Sequence, residues 1–370
     1  MRVEDFDYEL PEHLIAQQPL PERDQSRLLV VDPVDRVVRH RIFAEIVEEL
    51  NPGDVLVMND SRVLPARLHA FKPDTGGHVE LLLVRPVDDQ PNTWQCLARP
   101  AKRVRAGHRL VVGEGDGRVE MEVVGEEDEG IRLVRFHTNE SVIDVAHRLG
   151  EMPLPPYIHE KLEDQERYQT VYAKRVGSVA APTAGLHFTE RLLQKLRDKG
   201  VQLCHVTLHV GIGTFRPVQV ENVEEHRMHS EWYEVSPETA EMVNQAKSEG
   251  RPVIAVGTTA LRTLEAAGQS GVLEAKQGET DIFIYPGFKF HIMDGLITNF
   301  HLPKSTLFML VCAIMGTDYA KAVYREAVER SYRFFSFGDA MFIKSPAVIC
   351  QGGESTKLGM DLGKKYRSSG

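Results

Sequence analysis

The pattern of apolar and polar positions divides this chain into three stretches. In the first 65 residues, 28–32 make a short apolar run of strand length, 43–50 have helical spacing, and Asn51-Pro52-Gly53 makes a turn. Residues 55–58 are apolar without a break, the pattern of a strand buried on both faces. The run ends in Asn59-Asp60-Ser61-Arg62, which predicts a strand opening onto a cleft. After Pro65 the runs shorten. Strand-like segments at 78–84, 93–98, 109–112, 118–124 and 131–136 alternate with turns such as Gly76-Gly77, a spacing that predicts a small β-barrel or sandwich. A helix near 141–149 and a proline-rich stretch at 152–156 close this region. From Tyr157 onward strands and helices alternate. Thr189 is placed to cap a helix that stops before Gly200, a strand at 201–210 ends in Gly211-Ile212-Gly213, and a strand at 253–256 runs through Gly257-Thr258-Thr259 into a helix at 260–267. Ser305 caps an apolar helix ending near Gly316, and Asp318 caps the next one, to Arg330. The expectation is an α/β protein: a larger α/β domain with a mixed sheet (1–65 plus 153–350), an inserted small β-barrel domain (66–152) and a disordered tail (351–370).

Composition changes this picture little. At 42% apolar and 26% charged residues the chain is globular rather than disordered. Its longest apolar stretch, 307–315, is well short of the ~20 residues a bilayer span needs. The N-terminus has no signal-peptide pattern, and Cys96, Cys204, Cys312 and Cys350 are too widely spaced for a zinc or iron–sulfur motif. These features predict a cytoplasmic protein without a membrane segment. Charge matters more. The net charge of -10 argues against a surface coated for nucleic acid, yet residues 85–109 hold six basic side chains against two acids. Such a local patch is either a solvated loop or a phosphate-binding surface.

Candidate chemistry lies where strands end. In 178–188 (SVAAPTAGLHF), small residues allow close backbone approach while Thr183 and His187 offer hydrogen bonds. In 209–217 (HVGIGTFRP), Gly211 and Gly213 with Thr214 and Arg216 resemble a weak anion loop, without the third glycine of a dinucleotide fingerprint or the Gly-Lys of a P-loop. Thr258 and Thr259 either cap the helix they open or bind an anion at its N-terminus. Asn299 and His301 precede another helix, and Phe335 and Phe337 flank Asp339 in an aromatic segment that is either core or a stacking platform. His226, His229 and Glu231 have a spacing open to zinc, but no further histidine or cysteine lies nearby, and contact with a polar substrate suits them better. No metal is expected.

These segments, together with 8–30, NDSRVLPARL at 59–68, MPLPPYI at 152–158 and NFHLPKSTL at 299–307, resemble the S-adenosylmethionine:tRNA ribosyltransferase-isomerase family of queuosine biosynthesis (the QueA family). The likeness runs in order from about residue 3 to residue 345. It implies a larger α/β domain with an inserted β-barrel. It also implies that the ribosyl group of S-adenosylmethionine is transferred to 7-aminomethyl-7-deazaguanine at the tRNA wobble position and isomerised to epoxyqueuosine, with adenine and methionine released. S-adenosylmethionine is then a consumed co-substrate, no cofactor is needed, and the protein is expected to be a monomer.

The resemblance also directs the site expectations. His187 and His209 are the acid/base candidates, since histidine titrates near neutral pH. Asp60 joins them, with Asn59 and Arg62 at the domain junction. Thr258 and Thr259 would hold the methionine carboxylate. Asp339 would take ribose hydroxyls or adenine, with Phe335 or Phe337 stacking, and Thr183, Gly211, Gly213, Thr214, Arg216, His226, His229, Glu231, Asn299 and His301 would contact substrate. Arg99, Lys102, Arg103 and Arg105 would face the anticodon-arm phosphates. Two other classes compete: a metal-dependent hydrolase centred on His226, His229 and Glu231, and a non-catalytic RNA-binding protein using the barrel.

Overall fold

The computed structural model describes residues 1–344 apart from 161, 212 and 214–217. The expected tail, and the expected contacts of Thr214 and Arg216, lie outside the described residues. β1 (Arg27–Asp32) and β2 (Val37–Ile42) form an antiparallel pair, and α1 (Ile46–Glu49) leads to β3 (Val55–Asn59). The helix expected over 43–50 is only a 3₁₀ turn plus one α-turn, because the Asn51-Pro52-Gly53 turn cuts it short. After β4 (Ser61–Val63) the chain enters the barrel: β5 (Arg67–Phe71), β6 (His78–Pro86), β7 (Thr93–Arg99), β8 (Arg109–Val112), β9 (Val119–Glu126) and β10 (Ile131–His137). These six strands close in the order β10-β7-β6-β5-β8-β9. α2 (Val142–Leu149), capped by Ser141, turns Val142, Val145 and Ala146 into the barrel core. Reciprocal main-chain bonds between Arg67 and Glu151 tie the exit of the barrel to its entrance.

The chain then returns through β11 (Arg175–Ser178), parallel to β4, and continues with α3 (Glu190–Lys199), β12 (Gln202–Leu208), β13 (Glu231–Val235) and α4 (Pro237–Ser248). β14 (Val253–Val256), α5 (Thr258–Ala267), β15 (Lys276–Thr280), β16 (Gly295–Asn299), α6 (Thr306–Met315), α7 (Thr317–Glu329) and β17 (Ala340–Lys344) complete it. Nine strands form one mixed sheet in the order β15-β13-β12-β3-β14-β16-β17-β1-β2, with β12, β3, β14 and β16 mutually parallel. Alternation explains the two buried faces. Val55, Val57, Val253 and Ala255 pack with α4–α7 on one face, while Leu56, Met58, Ile254 and Val256 pack with α1 and α3 on the other. Thr189 and Ser305 cap α3 and α6 as expected, each accepting a main-chain N–H. α7 differs. Gly316, at φ 80°, reverses the chain between α6 and α7, so the helix starts at Thr317 and Asp318 sits in its first turn, favourably placed for the helix dipole. Among the described residues no single helix is long and apolar enough to cross a membrane; α6 is buried and meets α7 at 112°.

Candidate functional site

A cavity of about 800 Å³ opens at the carboxyl ends of β14 and β16, where ligands characteristically bind in α/β sheets. Gly257, Thr258, Thr259 and Arg262 border it from the start of α5, and Asn299 and His301 from the end of β16. Thr183, Tyr157, Tyr168 and Phe335 supply the remaining walls.

The start of α5 is unusually bare. Gly257 occupies the N-cap with φ 90° and ψ 156° and offers no side chain, so neither threonine caps the helix. The main-chain amides of Thr258 and Thr259 find no acceptor among the described residues, which leaves the positive helix end facing the cavity. The Gly257 conformation is one that only glycine adopts without strain. A Cβ there would meet Ala184 at an ordinary 3.6 Å, so backbone strain alone should make Gly257→Ala less stable by about 1–3 kcal/mol. Urea unfolding measures this, and an unchanged midpoint would show that the loop relaxes.

Two buried asparagines hold the strand ends in place. Asn59 is fully buried; its Oδ1 accepts from Leu208 N (3.0 Å) and Ser61 N (3.1 Å), while Nδ2 donates to Leu208 O (3.0 Å) and Thr259 Oγ1 (3.1 Å). It therefore positions Thr259 rather than meeting a substrate. Asn299 accepts from Thr183 Oγ1 (3.0 Å) and donates to His187 Nε2 (3.1 Å) and to the Phe335 carbonyl (3.2 Å). That clamp, with the bond from Phe335 N to Phe300 O, holds Phe335 at a φ of 73°, its ring 4.1 Å from that of Tyr157.

The histidines depart from expectation. His187 Nε2 accepts from Asn299, so Nδ1 carries the proton and donates to Ser26 Oγ at 2.7 Å. Burial, reinforced by the Arg23 and Arg333 charges, pushes its pKa down to about 3. His187 is thus a neutral, fully engaged positioning group, and it borders a separate recess of about 310 Å³ with Arg23 and Arg167. His301, bonded through Nε2 to Thr298 Oγ1 at 2.8 Å, is likewise pushed down to about 3 by burial. His209 does not line the large cavity. It stacks on Trp232 at 5.1 Å, and burial lowers its pKa against the opposing pull of Asp60. Asp60 faces another hollow, of about 660 Å³, beside His205 and Glu234, and accepts from Thr207 at 2.7 Å. An acid/base pair of His187 and His209 within one cavity is therefore not what the chain builds.

Asp339 is a second correction. Its carboxylate accepts from the main-chain amides of Arg27 and Arg333, both at 2.8 Å, and from Arg27 Nε, which ties the β1 edge to the segment before β17. Phe337 packs edge-on to Tyr168 and lies outside the large cavity, leaving Phe335 as its aromatic wall from that segment. Arg62 pairs with Glu166 at 2.5 Å. His226 lies edge-on to Phe283 and His229 is exposed beside Gly213, while Glu231 is buried and accepts from Gly211 N at 3.0 Å. Among the described residues no group of three His, Cys, Asp or Glu side chains is placed to hold a metal. Arg99, Lys102, Arg103 and Arg105 are exposed on the barrel, with no carboxylate partner among the described residues. Sequence reasoning missed Arg262, whose guanidinium is buried at the cavity wall and donates through Nη1 to Glu231 Oε2.

A mixed α/β sheet with a cavity at its strand ends and an inserted barrel defines an α/β protein that carries a second, β-barrel module. The family model described as "Queuosine biosynthesis protein" matches residues 3–343. The chain is 56% identical over 345 residues to the S-adenosylmethionine:tRNA ribosyltransferase-isomerase of Clostridium kluyveri (strain ATCC 8527), covering 93% of this chain and all of that protein. The same figures hold for the protein of that name from Clostridium kluyveri strain NBRC 12016. The crystal structure of S-adenosylmethionine tRNA ribosyltransferase from Thermotoga maritima is 41% identical, covers 92% of this chain and 99% of its own, and superposes with a TM-score of 0.53. The chain belongs to the queuosine biosynthesis protein family.

Proposed function

We propose that the protein transfers and isomerises the ribosyl group of S-adenosylmethionine onto 7-aminomethyl-7-deazaguanine at the wobble position of tRNA, forming epoxyqueuosine and releasing adenine and methionine. At the coarser level, family membership makes the chain a tRNA ribosyltransferase-isomerase of queuosine biosynthesis. The observation that carries the finer reading is the cavity itself, with uncompensated helix amides at one end and the Phe335–Tyr157 aromatic wall. The amides at Thr258 and Thr259 suit the methionine carboxylate, and the aromatic wall suits a purine, for which stacking is worth ~1–3 kcal/mol. The positive sulfonium acidifies the C5′ hydrogens, so loss of a proton there begins the rearrangement, and adenine leaves with a proton gained. Orientation of the tRNA base against the ribose supplies much of the remaining acceleration. S-adenosylmethionine is consumed, so no resident cofactor is required, and the reaction takes place in the cytoplasm, where tRNA is found.

Incubation with S-adenosylmethionine and an anticodon stem-loop carrying 7-aminomethyl-7-deazaguanine should release adenine and methionine, with a matching mass gain on the RNA. Binding of both substrates without release would overturn the reaction and leave a binding protein. The exposed barrel arginines and lysine supply the phosphate contacts. Replacing Lys102, Arg103 and Arg105 together by glutamine should weaken tRNA binding and make the slope of log K against log salt shallower by about 2 to 3. An unchanged slope would move the RNA surface elsewhere.

A further inference from the structure

We propose that Arg262 and the start of α5 together form a carboxylate-reading subsite, which makes the protein selective for sulfonium nucleosides that retain the amino-acid carboxylate. The inference rests on the reading of S-adenosylmethionine as substrate and assigns a residue and a selectivity to it. Thr258 and Arg262 are four residues apart, so both lie on the face of α5 that borders the cavity. Arg262 is 6% exposed. Its Nη1 donates to Glu231 and its Nε to Ile282 O at 3.3 Å, but Nη2 is buried with no hydrogen-bond partner among the described residues. A buried guanidinium N–H pair without an acceptor is costly, and it stands one helical turn from two main-chain amides in the same condition. All of these groups donate and none accepts. The complementary ligand group is therefore one that only accepts, and on a sulfonium amino acid that group is the α-carboxylate. Glu231, through Arg262 Nη1 and Gly211 N, fixes the guanidinium and links it to the loop after β12.

Isothermal titration of the full chain with S-adenosylmethionine and with its decarboxylated analogue tests this. The wild type should prefer S-adenosylmethionine by about 10- to 100-fold, the ratio expected of hydrogen bonds to a charged group. Because Arg262→Met alone would remove a cation from beside the buried Glu231 carboxylate, the paired variant Arg262→Met, Glu231→Gln is the fair test, with its fold checked by circular dichroism. In that variant the preference for S-adenosylmethionine over the analogue should shrink to what the Thr258 and Thr259 amides supply, while the affinity for the analogue stays unchanged. Equal weakening of both ligands, or an unaltered ratio, would overturn the subsite while leaving the substrate reading intact. Failure of the wild type to bind S-adenosylmethionine at all would overturn that reading, and the subsite with it.

Discussion

Replacing Asn59 by alanine should destabilise the protein by about 4 kcal/mol and weaken S-adenosylmethionine binding at the same time. All four hydrogen-bonding positions of this side-chain amide are in use, at 3.0–3.1 Å, within a fully buried strand end. Alanine strips the Asn59 partner from Leu208 N, Leu208 O and Ser61 N. Each buried main-chain group left unpaired costs about 1–3 kcal/mol, and the deleted side chain leaves a small cavity in addition. Thr259 loses its tether at the same stroke, so the helix start that faces the cavity loosens. Urea unfolding and titration of the same sample separate the two effects. Asn59→Asp keeps both acceptors but sets a carboxylate oxygen against the Leu208 carbonyl, so it should recover part of the stability and little of the rigidity. A loss below about 1 kcal/mol for the alanine variant would mean that the strand end closes without the amide.

The elements that proved legible in the sequence are those whose pattern follows from burial alone. β3 lies between parallel neighbours, and its unbroken apolar run announces both buried faces. The barrel strands β6–β10 follow from alternation and turns, whereas β5 escaped notice because RLHAF has only Leu68 and Ala70 facing inward between charged and exposed positions. The site was legible as a set of loops but not as a set of roles. Asn59, Asp60, His187 and Asp339 are the polar residues that catalysis favours, and only the fold shows that Asn59, His187 and Asp339 are held by internal partners. Their spacing along the chain says nothing of partners 112 to 312 residues away. Arg262 was hidden for the opposite reason, since a single arginine in ALRTLE reads as an ordinary helix surface. The available signal was that Arg262 and Glu265 interrupt the apolar face of α5. Both are buried, and Glu265 accepts the main-chain amides of His291, Ile292 and Met293.

Acid should unfold this protein earlier than its carboxylates alone would require, and His187 and His301 are the cause. Burial holds both at a pKa of about 3 in the folded chain, against an ordinary value of 6.5. Well above pH 6.5 both are neutral whether the chain is folded or unfolded, and they contribute little pH dependence. As the pH falls from 6.5 toward 3, the unfolded chain takes up two protons that the folded chain refuses, so stability falls. The slope approaches about 3 kcal/mol per pH unit for the pair, and the loss between pH 6.5 and 5 is about 3 kcal/mol. Only lower down does Glu49, held at about 2 by Arg39 and Lys344 against its burial, add the usual carboxylate loss, which begins near pH 4.5. His187→Gln with His301→Gln keeps a neutral amide at each position and should make the stability profile between pH 6.5 and 5 shallower, with His205, His209 and His226, also lowered by burial, supplying the slope that remains. A double variant as acid-labile as the wild type would show that these two rings are protonated without unfolding. The same variants bear on mechanism: because the His187 ring is already neutral and bonded at both nitrogens, the pH profile of kcat should keep its shape in His187→Gln even where its height falls. Loss of one limb of that profile would instead return His187 to proton transfer.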